Sequence, residues 1–257
     1  MKKYMHDFRV MRNERLSSAY FVLHLECPEK LPVILPGQFA EVLVPNSVST
    51  YLRRPFSIYD LDYNRNRLTM LIKAIGEGTR ALYNLSEGDT LNLIYPLGNS
   101  FGGSGDGKAL LIGGGVGIAP MLMLSKSLAS EGKEVDVLIG GRTSADIIQP
   151  DLYKPYGNVF ITTDDGSLGE KGMVTGHSLF RQDNAYSKIY ACGPEPMMKA
   201  VSALARSKGI PCEVSLENLM ACGIGACLCC IVPTRDGIKT SCMEGPVFDS
   251  STLSDWD

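Results

Sequence analysis

Residues Leu110–Leu122 read LLIGGGVGIAPML. An apolar run suited to a buried strand enters a glycine cluster, and Ala119 and Pro120 then open APMLMLSKSLASEGK (119–133), a stretch that predicts a helix. Proline is tolerated in a helix's first turn because its missing N–H would have no partner there. Downstream, EVDVLIGG (134–141), NVFITTDDGS (158–167) and SKIYACG (187–193) read as strands. PEPMMKAVSALARSKG (194–209) reads as a helix that Pro194 opens and Gly209 closes. Strands separated by helices of this length predict a parallel sheet with right-handed crossovers. Upstream the pattern changes. YFVLHLEC (20–27), QFAEVLVP (38–45), RLTMLIKAI (67–75) and DTLNLIYPLG (89–98) are strand-like runs bounded by Pro, Gly, Asn and Asp, without helical spacing between them. Such runs predict an antiparallel barrel or sandwich. GNSFGGSGDGK (98–108) divides the two regimes, and beyond Ile210 the regular pattern fades. The expected organisation is a β-barrel over 1–101, an α/β domain over 108–209 and a small module over 210–257.

The chain has 257 residues, 44% of them hydrophobic and 21% charged, with a net charge of −3. That composition is of a globular protein and gives no basic surface for nucleic acid. The opening MKKYMHDFRVMRNERLSS has no apolar segment after its lysines, and no window approaches the roughly 18 apolar residues of a membrane span. No membrane association is expected, and the cytoplasm is the expected location.

Five of the eight cysteines follow Met220. Cys222, Cys227 and Cys230 stand at C-x4-C-x2-C spacing, with Cys242 more distant, which is the plant-type pattern for a [2Fe-2S] cluster. Each iron takes tetrahedral thiolate ligation, and backbone amides must balance the negative sulfurs; Gly223 and Gly225 let the loop curl for that purpose. A structural zinc site usually offers two short C-x2-C knuckles, whereas here the fourth thiol stands alone. Cys229 is left as the spare. Cys27 and Cys212 read as small buried hydrophobes.

Four other motifs point to cofactors. In YLRRPFSIYD, Arg54, Pro55, Phe56 and Ser57 put a guanidinium and a hydroxyl on a strand, and the later GEGT places Gly78 and Thr79 at a helix start. Those groups suit a phosphate. The turn with Gly113, Gly114, Gly115 and Gly117 departs from G-x-G-x-x-G but has the strand-before, helix-after context of a dinucleotide site. Cys192, Gly193 and Pro194 end a later strand at the same sheet edge, as does TTDDGS (162–167). His6, His24 and His177 have no partner at metal or triad spacing, and no nucleophile with a base stands out. No catalytic side chain is assigned; the chemistry belongs to cofactors.

RRPFS, GEGT, GGGVGIAP and CGPEP in this order resemble the ferredoxin-NADP reductase superfamily, over about Phe8 to Gly209. VSLENLMACGIGACLCC followed by CMEGPVFD resembles the electron-transfer subunits of class 1B dihydroorotate dehydrogenases. The resemblance implies that Arg54, Pro55, Phe56 and Ser57 bind FAD, that Leu71, Ile72 and Lys73 line the flavin, and that Gly78 and Thr79 cap its phosphates. It also implies NAD at Gly113–Pro120 and Cys192–Pro194, and the cluster on Cys222, Cys227, Cys230 and Cys242. Phe56 stands where the superfamily motif has Tyr, and the chain continues into the cysteine module where familiar reductases end on an aromatic residue.

A nicotinamide exchanges two electrons as hydride and the cluster one at a time, so a flavin between them makes chemical sense. The resemblance implies an FMN-containing dihydroorotate dehydrogenase catalytic subunit as partner, in a heterotetramer of two of each, serving pyrimidine (UMP) biosynthesis. A reductase component for a hydrogenase, sulfide dehydrogenase or oxygenase is the rival reading. An acidic residue often ends the second strand to hold the NAD ribose; here Arg142 stands there, with Asp146 further on. Arg142 on its own favours a 2′-phosphate, while the resemblance favours NAD.

Overall fold

The structure, a computed structural model, describes residues 2–45, 47, 49–181 and 186–256. The amino-terminal strands are β1 (Tyr4–Arg15), β2 (Tyr20–Glu26), β3 (Phe39–Val42), β4 (Arg54–Ser57), β5 (Asp60–Asp62) and β6 (Arg67–Lys73), followed by helix α1 (Glu77–Tyr83) and β7 (Thr90–Leu97). They pair antiparallel in the spatial order β4-β3-β7-β1-β2-β6-β5. Edge strand β4 comes back against β6, so the sheet curls around Phe8, Val10, Phe21, Leu23, Leu25 and Met70. Strand alternation decides which residues fill this core. On β3, Ala40 and Val42 turn into it, while Phe39 turns to the opposite face and packs with Leu97, Met220, Cys230 and Cys242. Glu41, two residues on from Phe39, shares that outer face.

The second sheet begins with β8 (Lys108–Gly114), which runs through a single 3-10 turn, Gly115–Ile118, into α2 (Ala119–Ser130). It continues with β9 (Val135–Gly141), β10 (Asn158–Thr163), β11 (Glu170–Lys171), β12 (Tyr186–Cys192), α3 (Glu195–Ser207) and β13 (Cys212–Ser215). After the cysteine loop come the hairpin β14 (Ile231–Thr234) and β15 (Gly237–Thr240), then β16 (Val247–Asp249). The order is β11-β10-β9-β8-β12-β13-β16, parallel through β13 with β16 antiparallel on the edge. The sheet therefore runs past Gly209, where the sequence pattern fades: β13 and β16 are too short to register as periodic runs, and over thirty residues of loop and hairpin separate them.

The barrel and this sheet are one packed body. Tyr20, Val22, Tyr59 and Leu71 of the barrel share a core with Ile118, Leu122, Val137 and Tyr190. Around it, Lys126 grips both Asp60 carboxylate oxygens at 2.6 and 2.7 Å, and the Tyr59 hydroxyl meets the Gln149 amide oxygen at 3.1 Å. Asn99 joins the barrel to the cysteine module: its side-chain amide donates to the carbonyls of Glu244 and Val247 at 2.8 Å each, and its carbonyl oxygen accepts from the Val247 N–H at 3.0 Å.

Candidate functional site

The carboxyl ends of β8, β9, β10 and β12 lie side by side, with Gly113 opposite Cys192 and Gly114 opposite Gly140. Ligands of open parallel sheets collect at this edge. A cleft of about 510 Å³ opens here, lined by Gly114–Gly117, Gly140, Arg142, Asp164, Gly193, Pro194 and Glu217, with Lys73 reaching in from the barrel. The glycines serve close packing as much as any ligand. A Cβ on Gly117 would lie 2.5 Å from the Cys192 carbonyl oxygen and the Gly193 Cα, and one on Gly114 would lie 2.6 Å from the Met197 sulfur. The turn after β8 thus presses onto the end of β12, joining the two expected nicotinamide motifs. Burial pushes the Cys192 thiol far above its usual range, so it stays a protonated packing group.

Asp146 lines this cleft and is held from the barrel side. Its carboxylate accepts from the Tyr20 hydroxyl at 2.6 Å and pairs with the Lys73 ammonium at 3.2 Å, both groups of the barrel. Burial works to raise its pKa, but the hydrogen bonds from Tyr20 and Lys73 prevail and hold the carboxyl below its usual range. Tyr20 is pushed up, first by burial and then by Asp146, and donates as the neutral phenol. Sequence reading could not find this trio, whose members lie 126 and 73 positions apart. Arg142 is exposed on the cleft rim.

On the barrel, Arg54, Pro55, Phe56 and Ser57 form the half-buried edge strand β4. The Arg54 guanidinium donates to the carbonyls of Leu52 and Arg53 at 3.1 and 3.2 Å, and Tyr51 and Leu52, just before it in the chain, are exposed. An arginine held at the rim of an uncovered apolar surface fits a flavin nucleotide. Leu71, Ile72 and Lys73 do not act alike. Ile72 turns into the barrel core and Leu71 into the seam with the second sheet, so of the three side chains only Lys73 reaches the cleft. The Thr79 hydroxyl is occupied within its own turn, accepting from the amides of Ile75 and Gly76 at 2.9 and 3.0 Å. Gly78 packs against Thr50, 3.1 Å from where a Cβ would stand. These two residues shape the turn, and any phosphate contact there falls to its backbone.

The cysteine loop brings its thiols together as two pairs. Cys222 and Cys227 are hydrogen-bonded neighbours, as are Cys230 and Cys242. Burial acts to raise Cys222, but N–H groups of Ile224, Cys227 and Ala226 and the Cys227 thiol outweigh it and hold the Cys222 thiol at about 6. The Ala226 amide lies 3.3 Å from its sulfur. Burial and the neighbouring Cys230 push Cys242 up to about 11, while the Gly225 amide and the Cys222 charge also bear on it. Gly223 and Gly225 have φ of +64° and +85°, the left-handed geometry that lets amides turn inward. Two thiol pairs are what a two-iron cluster requires, each iron taking two thiolates beside its bridging sulfides. No three of the described His, Cys, Asp or Glu side chains are grouped around a single ion. Cys229 is exposed.

Residues 217–254 match the family described as the iron-sulfur cluster binding domain of dihydroorotate dehydrogenase B, and residues 111–203 match the oxidoreductase NAD-binding domain. The dihydroorotate dehydrogenase B (NAD(+)) electron transfer subunit of Caldanaerobacter subterraneus subsp. tengcongensis is 36% identical, covering 93% of this chain and 94% of that protein. The chain belongs to the family of dihydroorotate dehydrogenase B electron transfer subunits. The subunit of Lysinibacillus sphaericus is likewise 36% identical, over 96% of this chain and 97% of its own. Among solved structures, one from work on the NADH-dependent reduced ferredoxin-NADP oxidoreductase and flavin-based electron bifurcation superposes with a TM-score of 0.88. It is 30% identical and covers 97% of this chain and 90% of its own. A ferredoxin reductase of carbazole 1,9a-dioxygenase, 23% identical with a TM-score of 0.69 over 82% of this chain and 68% of its own, shares the fold. Membership makes this chain an oxidoreductase subunit whose cofactor complement is a flavin, an iron-sulfur cluster and NAD. No helix among the described residues is long and apolar enough to cross a membrane.

Proposed function

We propose that this chain passes electrons from dihydroorotate, oxidised at an FMN in a separate catalytic subunit, by way of a [2Fe-2S] cluster and FAD to NAD+, as a step of pyrimidine synthesis in the cytoplasm. In this reading residues 1–101 hold FAD, 108–209 hold NAD and 210–257 hold the cluster. The observation that carries it is the pairing of Cys222 with Cys227 and of Cys230 with Cys242, in a module packed on the flavin barrel through Phe39 and Leu97. Cys222, Cys227, Cys230 and Cys242 ligate the irons, and the loop amides offset the charge on the sulfurs. Arg54 meets the FAD pyrophosphate, with Pro55, Phe56 and Ser57 along the flavin and the turn at Gly78 and Thr79 beside its phosphates. Gly113, Gly114, Gly115, Gly117, Cys192, Gly193 and Pro194 shape the floor on which the dinucleotide lies.

The partner docks over the cysteine loop. Leu219 and Leu228 are 87% and 63% exposed there, with Ile224, Ile231 and Met243 exposed around them. So many bare apolar side chains around a redox loop suit a protein interface. The assembly is a heterotetramer of two subunits of each kind. A second reading, a component of an NADH-linked ferredoxin reductase of the bifurcating kind, draws on the TM-score of 0.88 to such a structure. The two readings differ in the partner.

The deciding experiment mixes this chain with the FMN catalytic subunit and follows NAD+ reduction on adding dihydroorotate. The expected result is rapid NADH formation only when both proteins are present. Equal rates without this chain, or no complex between the two, overturn the proposal.

A further inference from the structure

Among the described residues, the cleft between barrel and sheet has one charged group on its barrel wall, the Lys73 ammonium, and that group is not left to itself. Asp146 lies at the end of a short segment that folds back from β9: a Cβ on Gly141 would stand 2.9 Å from the Asp146 Cβ. Asp146 lines the same cleft as Arg142, and the fold-back turns its carboxylate across the seam to the barrel. There it binds Lys73 at 3.2 Å and Tyr20 at 2.6 Å, and the Lys73 ammonium sits 4.9 Å from the centroid of the Tyr20 ring. The Tyr20 hydroxyl in turn lies 3.6 Å from where a Cβ on Gly115 would stand, so the trio abuts the glycine turn that floors the cleft. A lysine has four rotatable bonds and, unpartnered, spreads its charge over many positions. Ion pair, phenol and aromatic face together allow it one.

We infer that Asp146 is a positioning residue for hydride transfer, holding the Lys73 ammonium at the flavin end of the cleft, where it meets the nicotinamide carboxamide rather than the adenosine ribose. The inference rests on the proposed occupancy of this cleft by NAD. Its argument is one of place. Hydride passes only when the nicotinamide ring lies within about 3–3.5 Å of the flavin, and the flavin belongs to the barrel. A group on the barrel wall therefore sits at the reacting end. The carboxamide oxygen accepts a hydrogen bond from an ammonium, which fixes the ring's orientation. An isolated exposed ion pair adds little to stability; at 19% side-chain exposure Asp146 and at 36% Lys73 serve orientation instead.

The test uses the cofactor-loaded protein and follows flavin reduction by stopped flow, with NADH and with reduced nicotinamide mononucleotide, which lacks the adenosine half. Asp146→Asn is expected to slow the limiting reduction rate by about tenfold or more with both donors, since misplacement by a full ångström costs about a hundredfold. NADH affinity is expected to stay within about twofold, because the change is in orientation rather than uniform binding. Asp146→Glu is expected to recover most of the rate. Asp60→Asn, which breaks the other ion pair across the seam, is expected to leave the rate unchanged. Loss with NADH alone would assign Asp146 to the ribose and overturn the inference. So would an unchanged rate in Asp146→Asn, or an equal loss in Asp60→Asn, which would reduce the trio to a general clasp. If the wild-type flavin is not reduced by NADH at all, the proposed function fails rather than this inference.

Discussion

Glu41 and Gly223 are in contact across the seam between barrel and cysteine module, so closely that a Cβ on Gly223 would stand 2.4 Å from the Glu41 Cγ. Gly223 also has φ of +64°, and a side chain there costs roughly 1–2 kcal/mol in backbone strain alone. Gly223→Ala is therefore expected to lose the cluster while keeping the flavin, read as iron content and visible bands per protein. Replacing Glu41 by Ala in the same chain removes the clash but not the strain, so part of the iron should return. Gly176→Ala, with nothing within 4 Å and no positive φ, should leave both intact. Full iron content in the Gly223 variant would mean that the loop has another way to close.

The proposed ligand pairs make a sharp contrast between neighbours. Cys230 is buried beside Cys242, whereas Cys229 is exposed. Cys230→Ser should bleach the cluster bands and Cys229→Ser should spare them. Bleaching by the Cys229 change would move the ligand set by one residue.

Much of this could be read from the chain because the informative signals are local. Strand, glycine turn and helix over Leu110–Ser130 are contiguous, and the spacing of Cys222, Cys227 and Cys230 is that of a single loop. Strand β1 escaped because only Phe8 and Val10 among its twelve residues are fully buried and charges interrupt the rest. Strands β13 and β16 escaped because they are short and far apart in sequence, although paired in space. The contacts of Asp146, Glu41 and Asn99 are products of tertiary packing, and no local pattern announces them. For the same reason Ile72, which a motif groups with Lys73, turns out to face the core: neighbours on a strand point to opposite sides.

Asn99 sits in what reads as a linker, yet it makes four hydrogen bonds to the cysteine module. Its backbone N–H meets the Gly245 carbonyl at 2.6 Å, and its side chain supplies the other three. Asn99→Ala removes the side-chain three and leaves two carbonyls and one amide to find water. Each such bond is worth about 1 kcal/mol net, so a loss of about 2–4 kcal/mol is expected in chemical denaturation. Because the contacts join barrel to module, the cluster should also bleach at a lower denaturant concentration than in the wild type. A change below about 0.5 kcal/mol, the usual range for surface substitutions, would show that the module is held by its apolar contacts alone.

Glu41 carries a pH signature. Its side chain is wholly buried, and both carboxyl oxygens lack a hydrogen-bond partner among the described residues. Burial pushes its pKa up from 4.5 to about 7, with Arg53 pulling the other way and Cys222 adding to the rise. A carboxyl raised in the folded state favours folding while protonated. Its contribution is complete below the unfolded pKa of 4.5, shrinks as pH rises through the interval, and is gone above about 7. Between about pH 5.5 and 8 the wild type should lose about 2 kcal/mol from this group, on the basis of 1.36 kcal/mol per unit. Glu41→Gln cannot titrate, so its stability measured against the wild type should rise across that window. Parallel pH profiles for the two proteins, from anaerobic urea denaturation, would mean that the carboxyl finds a partner when the cluster is in place.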